Sequence, residues 1–216
     1  MWLLEDLGIE YNLVLHERTS STDPKRPFLS PPALLAVGPY GQAPILITGP
    51  ADGNRYITES SAIATYLIRK FDIEDKFGLK DGDWIRDEVL TSLTAVLGRS
   101  TSEILMVEFG YIKGNKINPL DGMLLRKTLR HVERELEEGP SGGFFMGKSP
   151  GRADILLEFP LSMIQHRSYV NLATEFPALD KWLTLVYERP AFKTSLDKGN
   201  GYDLNTFPKF GREVKL

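Results

Sequence analysis

The chain has 216 residues, of which 42% are hydrophobic and 25% charged, and its 26 basic and 29 acidic residues give a net charge of −3. This length suits one large domain or two small ones with a genuine core. The slightly negative balance, without a basic patch, argues against a nucleic-acid-binding surface. Because the sequence contains no cysteine, disulfides, cysteine-ligated metals and a cysteine nucleophile are excluded within these residues.

The three histidines, His16, His131 and His166, are far apart and show no ligand spacing, so we expect no metal site. Glu5 and Asp6 interrupt the only early apolar run, which argues against a secretory signal. No charge-free run is long enough to span a bilayer. These features predict a cytoplasmic protein that binds neither membranes nor nucleic acid.

The first seven residues are typical of the end of a surface helix. Trp2, Leu3 and Leu4 form an apolar face, and Gly8 stands where a left-handed helix terminator belongs. Residues 11–16 then form a short apolar run that predicts a strand. A surface helix packs on another element, so the partner of this first helix has to be identified.

Short strands and short helices alternate up to residue 72. The pattern predicts a helix over 32–36, strands at "PILIT" (44–48) and "RYIT" (55–58), and a helix over 59–70. These elements indicate a small α/β domain over residues 1–72. The polar, glycine-bearing stretch that follows predicts a linker over 73–82.

Nearly everything after the linker has helical periodicity, which predicts an all-helical domain over 83–200. Apolar residues mark one face of a helix over 83–109 and one face of another over 120–138. "ADILLEFPLSMI" (153–164) is apolar nearly all round, as expected for a helix at the centre of a bundle. Pro177 and Pro190 open two further helices. Residues 201–216 show no period and are expected to form an extended tail.

Two stretches could carry chemistry, and the first is "YGQAPIL" (40–46). Here Pro44 stands at the start of an apolar strand, which indicates an edge, a bulge or a cis peptide. Taken by themselves, these residues favour an ordinary strand start with a trans proline.

The second stretch is "TESSAIATYLI" (58–68), which begins a helix. Free backbone N–H groups and the helix dipole make such a place an anion site, and Ser60 adds a hydroxyl donor. Simple N-capping by Thr58 or Ser60 is the alternative. Glu59 favours a zwitterionic ligand, because its carboxylate could hold an ammonium group while the amides hold a carboxylate.

Together these stretches resemble the glutathione-binding segments of the cytosolic glutathione transferases, and the resemblance covers nearly the whole chain. The family's first helix and second strand are similar to "WLLEDLGIEYNLVLHER", its proline loop to "GPYGQAPIL" and its glutamate-serine motif to "ITESSAIATYLI". Its buried bundle helix and its ending are similar to "GRADILLEFPL" and "FPALDKWLTLVYERPAFKTSL". The forms "WLLEDL" and "ERPAF" resemble the fungal yeast-type transferases.

The resemblance implies an α+β thioredoxin-like N-terminal domain, with strand order 2-1-3-4, followed by an all-α bundle, usually in a homodimer. It implies glutathione as co-substrate and no metal. Ala43 would pair its backbone with the cysteinyl part of glutathione, presented by a cis Pro44. Glu59 and Ser60 would hold the γ-glutamyl group. Gln42 stands where many relatives have lysine, so its contact with the tripeptide would be a neutral hydrogen bond and not a charged one.

Other positions follow from the same resemblance. Gly151 stands where most relatives cap the buried helix with serine or threonine. We therefore expect the side chain of Asp154 to bond back to residue 151 without a reciprocal hydroxyl, which makes a weaker cap. Arg99, Ser100 and Tyr111 are candidate walls of a pocket for a hydrophobic substrate, although for each of them a role in the core or at the surface is the more common one.

The family's first strand and its catalytic loop would lie before Met1, so the catalytic serine, tyrosine or cysteine is expected upstream of these residues. The runs 11–16 and 43–47 would then lack their shared partner.

Two functions stay open. One is a transferase that conjugates the glutathione thiol to a hydrophobic electrophile, and the other is a non-catalytic protein that binds glutathione or another ligand. An upstream segment with a catalytic hydroxyl would favour the first.

Overall fold

The computed structural model describes residues 1–17, 19, 29–38, 40–78, 83–108 and 119–199. The helices in these ranges are α1 (Trp2–Asp6), α2 (Pro32–Val37), α3 (Ser60–Phe71), α4 (Trp84–Glu108), α5 (Pro119–Glu137), α6 (Arg152–His166), α7 (Leu172–Glu175), α8 (Pro177–Glu188) and α9 (Pro190–Lys198). The strands are β1 (Leu46–Ile47) and β2 (Tyr56–Ile57).

The order of these elements confirms the predicted fold class, a small N-terminal part with strands and helices followed by a helical part. Within the described ranges, no helix combines the length and hydropathy needed to cross a membrane. The predicted linker lies partly, and the predicted tail wholly, outside the described residues.

The two strands form an antiparallel hairpin between the proline turn and α3. Leu46 pairs with Ile57 and Ile47 with Tyr56. A short 3-10 turn (Pro50–Asp52) connects them, and the backbone amide of Arg55 donates to the hydroxyl of the buried Thr48. Because the connection is short and hydrogen-bonded, the hairpin keeps the start of α3 close to the turn that precedes β1.

The predicted strand over residues 11–16 is wrong, since these residues have no regular structure. No backbone hydrogen bond joins them to another described residue. Leu13, Val14 and Leu15 are 38%, 71% and 54% exposed. Apolar, β-prone residues form a strand only when a neighbouring strand supplies hydrogen bonds and cover. The two strands that do form are shorter than predicted, covering 46–47 and 56–57.

Helix α1 packs on α9 at the end of the described chain. The rings of Trp2 and Phe192 meet edge to face, with centroids 5.8 Å apart. Arg189 donates to Asp6 at 2.6 Å, and Lys198 donates to Glu5 at 2.8 Å. The predicted first helix is thus confirmed, and it packs both on α9 of the helical domain and, through Leu3, on α3.

Helix α6 lies at the centre of the helical domain, as its apolar sequence predicted. It packs against α3, α4 and α8. Leu157, Leu161 and Ile164 are fully buried and belong to one apolar cluster. That cluster also includes Leu90 and Leu97 of α4, Leu125 and Leu129 of α5, and Trp182 and Val186 of α8.

The first turn of α6 is held by Asp154, whose side chain is completely buried. Its carboxylate accepts hydrogen bonds from the amide of Gly151 at 2.8 Å, the amide of Phe145 at 3.3 Å and the indole N–H of Trp182 at 2.6 Å. Burial raises the pKa of Asp154 to about 6, although these three donors oppose the rise. As expected, Asp154 bonds back to residue 151 without a reciprocal hydroxyl.

The structure also explains the glycine at position 151. A Cβ atom built on Gly151 would overlap the Cγ atom of Met146. A serine or threonine cap would therefore displace a side chain that packs against the main core. The site holds an apolar contact in place of the capping hydroxyl that the resemblance implied for this position.

We expect Gly151→Ser to lower the free energy of unfolding by about 1 to 3 kcal/mol, because it overpacks this site. In a Met146→Ala background the same serine should cost less, or should stabilise as an N-cap. Urea unfolding of the four proteins of this cycle measures both effects. A serine that stabilises the unmodified protein would contradict this explanation.

The raised pKa of Asp154 predicts a pH dependence with a definite sign. The native state binds this proton more tightly than the unfolded chain, whose Asp pKa is near 3.8. The contribution to stability is therefore present below about pH 4 and is lost as the pH rises to about 6. Between about pH 4 and pH 6, the free energy of unfolding of the unmodified protein should fall relative to that of Asp154→Asn, whose side chain does not titrate. A stability difference that does not change with pH would refute the shift.

Candidate functional site

The turn before β1 and the start of α3 form a small cleft that is open to solvent. The cleft is lined by Tyr40, Gln42, Ala43, Pro44, Thr58, Glu59 and Ser60. The fold thus brings together all five residues that the resemblance assigned to glutathione. Tyr40 and Thr58 were not predicted to line the site, although each is the first residue of one of the two stretches.

The peptide bond between Ala43 and Pro44 is cis. The resemblance implied this geometry, whereas the local sequence alone had favoured a trans bond. Gly41 precedes it with φ of +58°, and a Cβ atom there would overlap Leu35. Position 41 therefore requires glycine, both for its backbone conformation and for the close approach of α2.

The backbone of Glu59 has an unusual conformation, with φ of 68° and ψ of 120°. Positive φ is uncommon for a residue other than glycine, and such conformations cluster at ligand sites. Glu59 is also the N-cap residue of α3, and no side-chain hydrogen bond caps the helix. The alternative interpretation, simple N-capping by Thr58 or Ser60, is therefore wrong.

The missing cap matters for binding. The N–H groups of the first turn of a helix have no partner inside the helix, and they carry the positive end of its dipole. Here no side chain within the described ranges caps them, and the exposed hydroxyl of Ser60 and carboxylate of Glu59 stand beside them. The opposite wall supplies the exposed side-chain amide of Gln42. This set can bind a carboxylate and an ammonium group on one ligand.

The predicted pocket residues lie elsewhere. Arg99 is on α4 with its side chain 82% exposed, and it pairs with Glu103 one turn later at 2.9 Å. Ser100 follows on the same helix and is half-buried. Neither lines the cleft, and Tyr111 lies outside the described residues. Their contact with a second substrate stays a prediction.

Comparison with known families identifies the fold. Residues 1–70 match the family model described as "Glutathione S-transferase, N-terminal domain", and residues 123–190 match "Glutathione S-transferase, C-terminal domain". The two matches together span more than half of the chain and follow the order of the two parts of the fold. The chain belongs to the glutathione transferase family.

Individual relatives agree with this assignment. The chain is 26% identical to glutathione S-transferase 1 of Saccharomyces cerevisiae over 223 residues, covering 95% of this chain and 92% of that one. A glutathione S-transferase from Actinobacillus pleuropneumoniae superposes with a TM-score of 0.77 at 25% identity, covering 96% and 90%. A glutathione transferase from Phanerochaete chrysosporium, in complex with oxidized glutathione, has a TM-score of 0.72 at 21% identity, covering 91% and 88%.

Proposed function

We propose that this chain binds glutathione between the cis-Pro44 turn and the start of α3 and conjugates its thiol to a hydrophobic electrophile. One observation carries the proposal: Gln42, Ala43 and Pro44 share a cleft with Glu59 and Ser60 at an uncapped helix start. Family membership supports it, as does the oxidized glutathione in the Phanerochaete chrysosporium relative.

The γ-glutamyl end of glutathione is a zwitterion and suits the α3 side of the cleft. Its carboxylate would accept hydrogen bonds from the first-turn amides and from the hydroxyl of Ser60, at the positive end of the helix dipole. Its ammonium group would pair with the carboxylate of Glu59. This arrangement uses the two features that a capped helix would lack, namely free amides and an exposed carboxylate beside them.

The rest of the tripeptide would extend along the opposite wall. The backbone of Ala43 would pair with the cysteinyl residue, and Gln42 would donate a neutral hydrogen bond from its side-chain amide. Because Gln42 carries no charge, this contact should depend little on ionic strength. Both contacts hold the thiol in the open part of the cleft.

The proposed reaction forms one carbon–sulfur bond. Glutathione loses its thiol proton, the thiolate attacks an electrophilic carbon, and the leaving group departs with its bonding electron pair. An unperturbed thiol has a pKa near 8.5, so a group that favours the thiolate would raise the rate at pH 7. We assign the cleft residues to binding. Arg99, Ser100 and Tyr111 stay candidates for the electrophile pocket, and a detoxifying role in the cytoplasm is part of the same proposal.

Replacing Ser60 with alanine should weaken glutathione binding by tenfold or more, because a hydrogen bond to a charged group contributes about 1.5 to 3 kcal/mol. The fold should persist, since the Ser60 hydroxyl does not cap α3. Isothermal titration calorimetry with glutathione measures the change. The control is Ser102→Ala, which removes an exposed serine hydroxyl on α4, outside the cleft. Equal affinities for all three proteins would reject the assignment of Ser60.

We also propose a homodimer, supported by an exposed apolar stripe on α4. Ile85, Val89 and Val96 are 60%, 48% and 49% exposed and recur on one face of the helix. Trp84 at its start is 61% exposed. Contiguous exposed apolar surface on a folded domain marks an interaction site, and a second copy of the chain fits the family pattern.

Light scattering at micromolar concentration should give the mass of two chains. Val89→Glu should convert the protein to monomers, because two copies would each bury an unpaired carboxylate near the two-fold axis. Met123→Glu on α5 is the control, since Met123 is also exposed but lies outside the stripe. A monomeric mass for the unmodified protein would count against the dimer.

A further inference from the structure

Arg152 is a buried cation at the place where α3, α4 and α6 meet. It is the first residue of α6 and is 4% exposed. Its Nη2 atom lies 2.5 Å from a carboxylate oxygen of Asp87 and 2.9 Å from one of Glu88, both in the first turn of α4. Asp87 is itself 1% exposed. A buried ion pair contributes little net stability after desolvation, so its presence calls for a role in placement.

The other end of the guanidinium reaches α3. Nη1 of Arg152 donates a hydrogen bond to the hydroxyl of Thr65 at 2.7 Å. That hydroxyl donates in turn to the carbonyl of Ser61 at 2.8 Å. Ser61 belongs to the first turn of α3, directly after Ser60. Two consecutive hydrogen bonds therefore connect Arg152 to the backbone of the turn that forms one wall of the cleft.

Apolar packing also joins α3 to α6, but it fixes the distance between the two helices and not the rotation of α3. Ile155 and Leu156 of α6 pack against the cluster that contains Ala64, Leu67 and Ile68 of α3. Such contacts are non-directional and set the separation of the two helices. Hydrogen bonds are directional, so the bond from Arg152 to Thr65 fixes the rotation of α3 about its axis. That rotation sets the direction in which the first-turn amides point.

We propose that Arg152 is a positioning residue for glutathione. Through Thr65 and Ser61 it fixes the first turn of α3 relative to α4 and α6, so that Glu59 and Ser60 face the cis-Pro44 turn. This inference rests on the proposed function. A ligand that spans two walls needs both in place at once, and a small misplacement of one wall weakens binding strongly.

The test replaces the hydroxyl of Thr65 and leaves the ion pair intact. Thr65→Val keeps nearly the same shape and removes the hydrogen-bonded relay, whereas Thr65→Ser restores the hydroxyl. The dissociation constant for glutathione, measured by calorimetry, should rise about threefold to tenfold in the valine variant and stay unchanged in the serine variant. If the valine variant does not fold, Thr65→Ala removes the hydroxyl in its place.

The control is Thr128→Val on α5. The hydroxyl of Thr128 bonds back to the carbonyl of Leu124 at 3.0 Å, as that of Thr65 does to Ser61, but no arginine of the described residues donates to it. This variant should bind glutathione like the unmodified protein. A second readout is the backbone amide resonance of Ser61 in the ligand-free protein, which should shift in Thr65→Val and return in Thr65→Ser.

The outcomes separate this inference from the function on which it rests. If the unmodified protein binds glutathione and Thr65→Val binds it equally well, the positioning role is overturned and the proposed function stands. If valine and serine weaken binding alike, packing rather than the hydroxyl is responsible, and the inference again fails. If the unmodified protein does not bind glutathione at all, the proposed function itself is refuted.

Discussion

The carboxylate of Asp154 and the guanidinium of Arg152, two residues apart in the first turn of α6, carry the contacts on which both parts of the molecule depend. Asp154 accepts three hydrogen bonds, from Gly151, Phe145 and Trp182, and so ties α6 to α8 and to the loop before it. Arg152 faces the opposite way, toward α3 and α4. The backbone N–H groups in the first turn of a helix that is buried nearly all round need hydrogen-bond partners. In α6 the same turn also connects the helical domain to the cleft.

The cleft depends on three separate placements. The short hairpin keeps the cis-Pro44 turn near the start of α3, and α6 holds α3 from behind. Helix α1, which ion pairs and an aromatic contact hold to α9, packs against α3 through Leu3. None of the cleft residues is deeply buried, so its geometry comes from the elements behind it rather than from packing within it. The positive φ of Glu59 is sustained in the same way, because the elements on both sides of it are fixed.

The sequence predicted the helices well because apolar periodicity recurs along a single element; α4 begins, and α5 ends, within about one residue of the predicted bounds, although Ile85, Val89 and Val96 of α4 are exposed. The strand over 11–16 failed because a strand depends on a neighbour that local sequence does not report. Five of the seven cleft residues were assigned through the resemblance of two local motifs to the family. The contacts of Arg152 were missed because Thr65 and Asp87 lie far away in sequence and belong to no pattern, and no signal marked Met146 as the reason for Gly151.

A crystal structure of this protein with glutathione tests the central claim most directly. The account predicts the γ-glutamyl carboxylate within about 3 Å of the amide and hydroxyl of Ser60, and the cysteinyl backbone paired with Ala43. Glutathione bound elsewhere, for example in the groove along α3 that is lined by Ala62, Thr65, Tyr66, Arg69 and Lys70, would contradict it. An empty cleft at a saturating glutathione concentration would contradict it equally.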